Sequence, residues 1–337
     1  MHLEGALSPE ILFTLAKRNN ITLPQDNPAF KSPEALLERY RRFTSLDDFL
    51  GYYYIGMSVL IHEADFESLA WDYFQHASND GVHHAEVFFD PQAHLSRGIS
   101  YSIILAGFNS ARKRAQEQLG ITSELICCFL RHLSPAECMQ TFHQDDVQES
   151  YRNGTIKGIG LDSSELDFPP RLFKDLYAAA APMGLRSTAH AGEEGPASYI
   201  AEAIETLGIE RIDHGIKLAD DADLMRKIAE KGIMLTVCPL SNVVLRCVKS
   251  ISEIPLRKFL HAGVKFSLNS DDPAYFGGYI LDNYCAVQDA FDFSVDEWER
   301  ICRAGIEGSW CSQERKEEML ETLKKVISEW NSAKNIE

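Results

Sequence analysis

The sequence has no apolar run long enough to cross a membrane; the longest such runs are strand-sized. The opening residues, MHLEGALSPE, carry no basic stretch followed by an apolar core, so no secretory signal is read there. No cysteine pair has metal-type close spacing. The eight cysteines are scattered, apart from Cys127-Cys128 inside an apolar run, and they read as reduced, buried thiols. The expected compartment is therefore the cytoplasm, with the nucleus as an alternative. No linker or low-complexity segment interrupts the chain, which reads as one domain over 1–337. No G-x-G-x-x-G follows a strand-like run, which removes the main cue for a dinucleotide fold. Positive charge is scarce: 33 Lys and Arg face 50 Asp and Glu, a formal net charge of −17. Nucleic acid and anionic membrane are thereby excluded as expected partners. What remains is a globular protein, 45% hydrophobic and 25% charged, with a neutral or cationic small substrate and a length suited to an α/β barrel.

Along the chain, Ser8–Asn19 has a helix start signal and apolar residues at helical spacing. Helical periodicity recurs in Pro33–Arg42, Leu46–Leu60 and Asp65–Ala77, which together read as a helical excursion; Tyr52-Tyr53-Tyr54 within it reads as packing. Strand-like runs then alternate with helices: Ala85–Phe89, Leu125–Leu130, Ile156–Leu161, Leu185–Ala189, Arg211–Ile212, Ile233–Val237 and Val264–Leu268. Strands of this kind indicate a parallel sheet covered by helices. With a short strand at Met1–Leu3 they number eight, so the expected fold is a (β/α)8 TIM-type barrel. Ser294–Ile336 reads as helix that closes it from outside.

Residues able to do chemistry fall at the carboxyl ends of these runs, which is the active face of such barrels. They are His2, Asp90, His132, His190, Glu193, His214, Asp271 and Asp272. Singly, each has a plain reading: Asp90, His132, Asp213 and Asp220 as helix caps, His2 as part of a loose terminus. Together, His, His-plus-Glu, His and Asp-Asp converging on one mouth indicate a mononuclear metal site. In STAHAGEEGP, residues 187–196, a metal-holding imidazole stands three residues before a carboxylate able to move protons.

The segments HLEGAL (2–7), HAGEEGP (190–196), RIDHG (211–215), CPLSN (238–242) and SLNSDDPAYFGG (267–278) resemble the adenosine/adenine deaminase family, in family order and over nearly the whole chain. RIDHG and DPAYFGG, with FFDPQAHLSRGISY (88–101) and CFLRHL (128–133), are similar to the adenine-type members of fungi and bacteria. The resemblance implies a metal-dependent hydrolase barrel that deaminates adenine to hypoxanthine and ammonia in purine salvage. It implies one Zn2+ per chain, held by His2, His190 and Asp271. Glu193 would donate a proton to N1, His214 would orient and deprotonate the attacking water, and Asp272 would hold the purine and help fix the nucleophile. Ser163 would lie at the N3 edge. The P-C-x-x-C ligand motif of the cytidine-deaminase type is absent.

One departure accompanies the resemblance. The family carries a His-x-His pair at the end of its first strand, and HLEGA supplies the second His, with the first strand cut short. The expected consequences are weaker metal affinity and lower stability. Two other readings therefore stand beside adenine deamination: adenosine deaminase, and a purine-binding barrel impaired in turnover. A two-metal hydrolase bridged by a carboxylated lysine finds only Lys157, at the wrong end of its strand.

Overall fold

The computed structural model describes residues 1–334. Seven strands form one parallel sheet in sequential order: β1 (His84–Phe89), β2 (Thr122–Leu130), β3 (Ile156–Asp162), β4 (Arg186–Ala191), β5 (Arg211–His214), β6 (Met234–Val237) and β7 (Lys265–Leu268). Each run named from the sequence is a strand, with ends shifted by one to three residues. Parallel strands are covered on both faces, and accordingly Leu125–Leu130 is buried throughout. The sheet curls so that β1 and β7 face one another, as in a TIM-type barrel.

Met1–Leu3 is not a strand, contrary to expectation. It makes a single parallel bridge, His2 to Phe88 of β1, within a short ladder in which Phe88 N–H donates to the Met1 carbonyl and Leu3 N–H to that of Phe88. On its other side His2 N–H donates to the carbonyl of Asp271, just beyond β7. Three residues thus join the two edges at the carboxyl mouth. Below them the seam stays open as a cleft bounded by Glu86, Arg211, Ser267, Met319, Leu323 and Val326.

The helical excursion is present as Pro9–Arg18, Pro33–Tyr40, Leu46–Met57 and Glu63–Asn79. Ser8, Ser32 and Ser45 cap the first three, each side chain accepting the N–H three residues on. The carboxyl-terminal stretch is two helices, Val295–Gly308 and Gln313–Lys334, and its expected end at residues 335–336 lies outside the described residues. Between them Trp310 plugs the barrel interior against Phe88, Ile126 and Cys128.

Candidate active site

Side chains alternate along a strand, so every second residue of β1, β3 and β4 points into the barrel. That alternation brings Asp90, Asp162 and His190 to the top layer, where His2 joins them from the bridge. His190 lies inside β4 and His214 is the last residue of β5. Asp271 and Asp272 follow β7, on the turn that leads into Pro273–Phe276. His2, His190, Glu193, His214, Asp271, Asp272 and Ser163 all line one buried pocket. His132 stands at its rim and bonds Ser163 (Nδ1 to Oγ, 2.7 Å). Asp213 is neither a cap nor in the pocket: it lies below, accepting from Thr188 (2.6 Å) and Thr236 (2.8 Å).

Four of these residues surround a common point. The Nε2 atoms of His2 and His214 lie 3.8 and 4.0 Å from the two carboxylate oxygens of Asp271. The His190 ring is 5.2 Å from that of His2 and 4.8 Å from that of His214. His190 Nε2 is buried and has no hydrogen-bond partner among the described residues. Burial, then the nearby imidazoles, pushes the His2 and His190 pKa values well down, so both rings are neutral, the form that binds a metal. A buried imidazole with an idle nitrogen, a second imidazole and a carboxylate fit a zinc ion, and their mixed donor set leaves room for water.

Glu193 lies 3.6 Å from His214 Nδ1, with one oxygen unpartnered. Burial and the Asp271 charge raise its pKa well above the usual carboxylate range, so it carries a proton. Burial and Asp271 likewise raise Asp272. Gly5 lies against Asp272: a Cβ there would sit 2.1 Å from Oδ1 and 2.6 Å from Cα. Only glycine lets the turn after His2 pass so close.

The loop bearing Glu193 is held from beneath. Arg131, wholly buried, donates to the carbonyls of His190 (2.8 Å) and Phe168 (2.9 Å). Its partner Glu165, 3.9 Å away and equally buried, accepts the Gly195 N–H at 2.5 Å. The pair grips both ends of the segment from His190 to Gly195. Their pairing does not stand out in the sequence, because a buried ion pair leaves no spacing signal; Glu165 follows β3 by three residues in a loop.

Helix Leu46–Met57 roofs the pocket with Leu46, Phe49, Leu50, Tyr53 and Tyr54. Two of the three consecutive tyrosines therefore face the site rather than serving only as packing. Tyr53 donates to Asp90 (3.3 Å), and Tyr54 meets the Ser163 hydroxyl (3.1 Å). Cys238 is a further member that sequence reasoning left unassigned: its sulfur groups with His214 and Asp271, while burial pushes its thiol pKa well up and keeps it inert. His94, in the last turn of helix Pro91–Leu95, is wholly buried and bonds Glu4 (3.0 Å), a core contact.

A family profile described as "Adenosine deaminase" matches residues 1–326. The adenine deaminase of Schizosaccharomyces pombe is 54% identical over 332 residues, which cover 98% of this chain and 90% of that protein. The adenine deaminase of Saccharomyces cerevisiae is 50% identical over 334 residues, 98% and 95% of the two chains. Among solved structures, adenine deaminase from Arthrobacter aurescens superposes with a TM-score of 0.92 at 42% identity, covering 97% of each chain. A zinc-bound amidohydrolase from Burkholderia ambifaria superposes at 0.88 with 26% identity, covering all of this chain and 91% of the other. With a profile matched over nearly its whole length and relatives sharing half its residues, this chain belongs to the adenosine deaminase family.

Proposed function

We propose that this protein is a zinc-dependent adenine deaminase that hydrolyses adenine to hypoxanthine and ammonia. The observation that carries this reading is the buried pocket in which protonated Glu193, His214, Asp271 and Asp272 meet the neutral His2 and His190. Relatives named adenine deaminase, at 50–57% identity over nearly the whole chain, support the choice of substrate.

His2, His190 and Asp271 would hold the zinc, which would supply a Lewis acid able to bring water to nucleophilic form near neutral pH. His214 accepts the proton of the attacking water. Attack at C6 breaks the purine's aromaticity, and charge builds up at N1. Glu193 delivers its proton there, so the ring nitrogen need not carry a full negative charge. Asp272 holds the base in place and keeps the nucleophile directed at C6. Proton return to the exocyclic nitrogen releases ammonia. The roof of Leu46, Phe49 and Leu50 keeps bulk water from the reacting atoms.

The reading is tested by following the absorbance change on adenine and on adenosine with the metal content measured on the same sample. Turnover of adenine with a higher kcat/KM than adenosine is expected. A preference for adenosine would return the assignment to adenosine deaminase, and metal-replete protein that binds adenine without turning it over would favour the impaired purine-binding reading.

A further inference from the structure

The pocket has a second polar group, which the deamination chemistry leaves unused. Asp90 and Asp162 lie side by side at its floor, each 2% exposed. Asp90 Oδ1 and both oxygens of Asp162 make no short hydrogen bond among the described residues. Two of those oxygens are 4.0 and 3.5 Å from His2 Nδ1, on the side of the ring away from Asp271, so Asp162 Oδ2 is the acceptor for the His2 N–H, and Asp90 Oδ1 and Asp162 Oδ1 are left without a donor. Such groups are rarely left idle, because a buried acceptor without a donor is costly.

Adenine's shape says which donor meets them. Its reacting edge, N1 and C6, must face Glu193 and His214. The opposite edge, N3 and N9, then faces whatever polar lining is left. Leu46, Phe49, Leu50, Leu130 and Leu245 offer no polar side-chain atom, and Tyr54 is engaged with Ser163. Asp90, Asp162 and Ser163 remain. A free purine base carries N9–H there, a donor, whereas a nucleoside has a sugar at the same atom and no hydrogen to give.

Resting on the reading of the site given above, we infer that the Asp90–Asp162 carboxyl pair accepts the N9–H of the purine, and that this contact selects the free base. The pair also stands where a sugar would begin, so a nucleoside both loses the hydrogen bond and presses its ribose against buried carboxyls. A site built to bond a substrate N–H rejects an analogue lacking it far more strongly than an apolar pocket rejects a bulkier one. Asp90 receives Tyr53 O–H on its other oxygen, which holds its free Oδ1 toward the pocket.

The test compares dissociation constants of adenine and 9-methyladenine by calorimetry on zinc-loaded protein carrying Glu193→Gln, in which adenine is bound without being rapidly consumed; wild type here means Asp90 and Asp162 unchanged in that background. Binding rather than turnover is read, so a failure of the proposed deamination does not touch the result. The wild type should bind adenine on the order of 100-fold or more tighter than 9-methyladenine. In Asp162→Leu and Asp90→Leu, adenine should weaken toward the affinity of 9-methyladenine. Asp162→Asn, which keeps an acceptor oxygen, should retain most of the discrimination. Zinc content and Tm are measured on each variant, and Asp90→Leu serves if Asp162→Leu does not fold. If both leucine variants hold zinc and keep the wild-type ratio, the methyl is excluded by shape alone and the inference is wrong. Equal binding of the two ligands by the wild type would also overturn it.

Discussion

At the scale of single residues, the site depends on burial acting differently on neighbouring groups. The same buried pocket keeps His2 and His190 neutral and Glu193 protonated, so imidazoles able to hold a metal and a carboxyl able to give a proton coexist within a few ångströms. Glu193→Gln preserves shape but has no proton to give. It should retain zinc and fold while kcat drops by about 10² to 10⁴. A metal-replete variant that turns over adenine at the wild-type rate would remove Glu193 from its role. His190, Glu193, His214, Asp271 and Asp272 were readable from sequence because each sits at or beside a strand end. Asp162 carries the same signal at the end of β3, whereas Glu165 carries none, since nothing in the GLDSSE segment marks a loop carboxylate that turns inward. Arg131 was visible as part of CFLRHL, but its grip on the His190 carbonyl comes from two strands that only the fold makes neighbours.

At the scale of elements, two parts set the pocket's geometry without supplying its chemistry. One is the buried Arg131–Glu165 pair. Removing one partner of a buried ion pair strands the other, at a cost of roughly 3–5 kcal/mol. Arg131→Met should therefore lower stability by that order. It should also release the strand end, so that kcat falls more than KM rises; equal stability in chemical denaturation would show that Glu165 does not need it. The other is helix Leu46–Met57, which packs so tightly that a Cβ on Gly56 would sit 2.5 Å from the Tyr275 hydroxyl. Gly56→Ala should push the roof outward, costing about 1–3 kcal/mol. We expect KM for adenine to rise several-fold with kcat less affected. A KM within error of wild type would mean the helix absorbs the shift elsewhere. The periodicity of residues 46–60 showed this helix plainly, yet not that its tyrosines face a ligand, because a pattern of apolar residues fixes a buried face and not what lies against it.

At the scale of the whole molecule, the barrel is asymmetric. Among the described residues, strands β2 to β6 are paired on both sides, whereas β1 and β7 meet only through Met1–Leu3 at the mouth. Backbone groups along that seam lack strand partners, so opening should begin there. Hydrogen exchange should be fastest at the lower halves of β1 and β7 and slowest in β2–β5; uniform protection across all seven strands would show that the flanking helices seal the cleft. The sequence made the seven inner strands legible through their apolar runs. It showed the first strand cut short but not that it keeps a single bridge, since three residues carry no periodicity to read.

The pocket walls come from His2 at one extreme and Asp272 at the other, with His190 and His214 between. During synthesis, β1 to β4 can pair as they appear and His2 can bridge to β1, but its Asp271 side stays open until the strand after residue 264 has been made and has folded back beside it. The order of events is thus imposed by the polypeptide: no fragment ending before β7 assembles the pocket, and the proposed metal site is complete only after the chain has found its final shape.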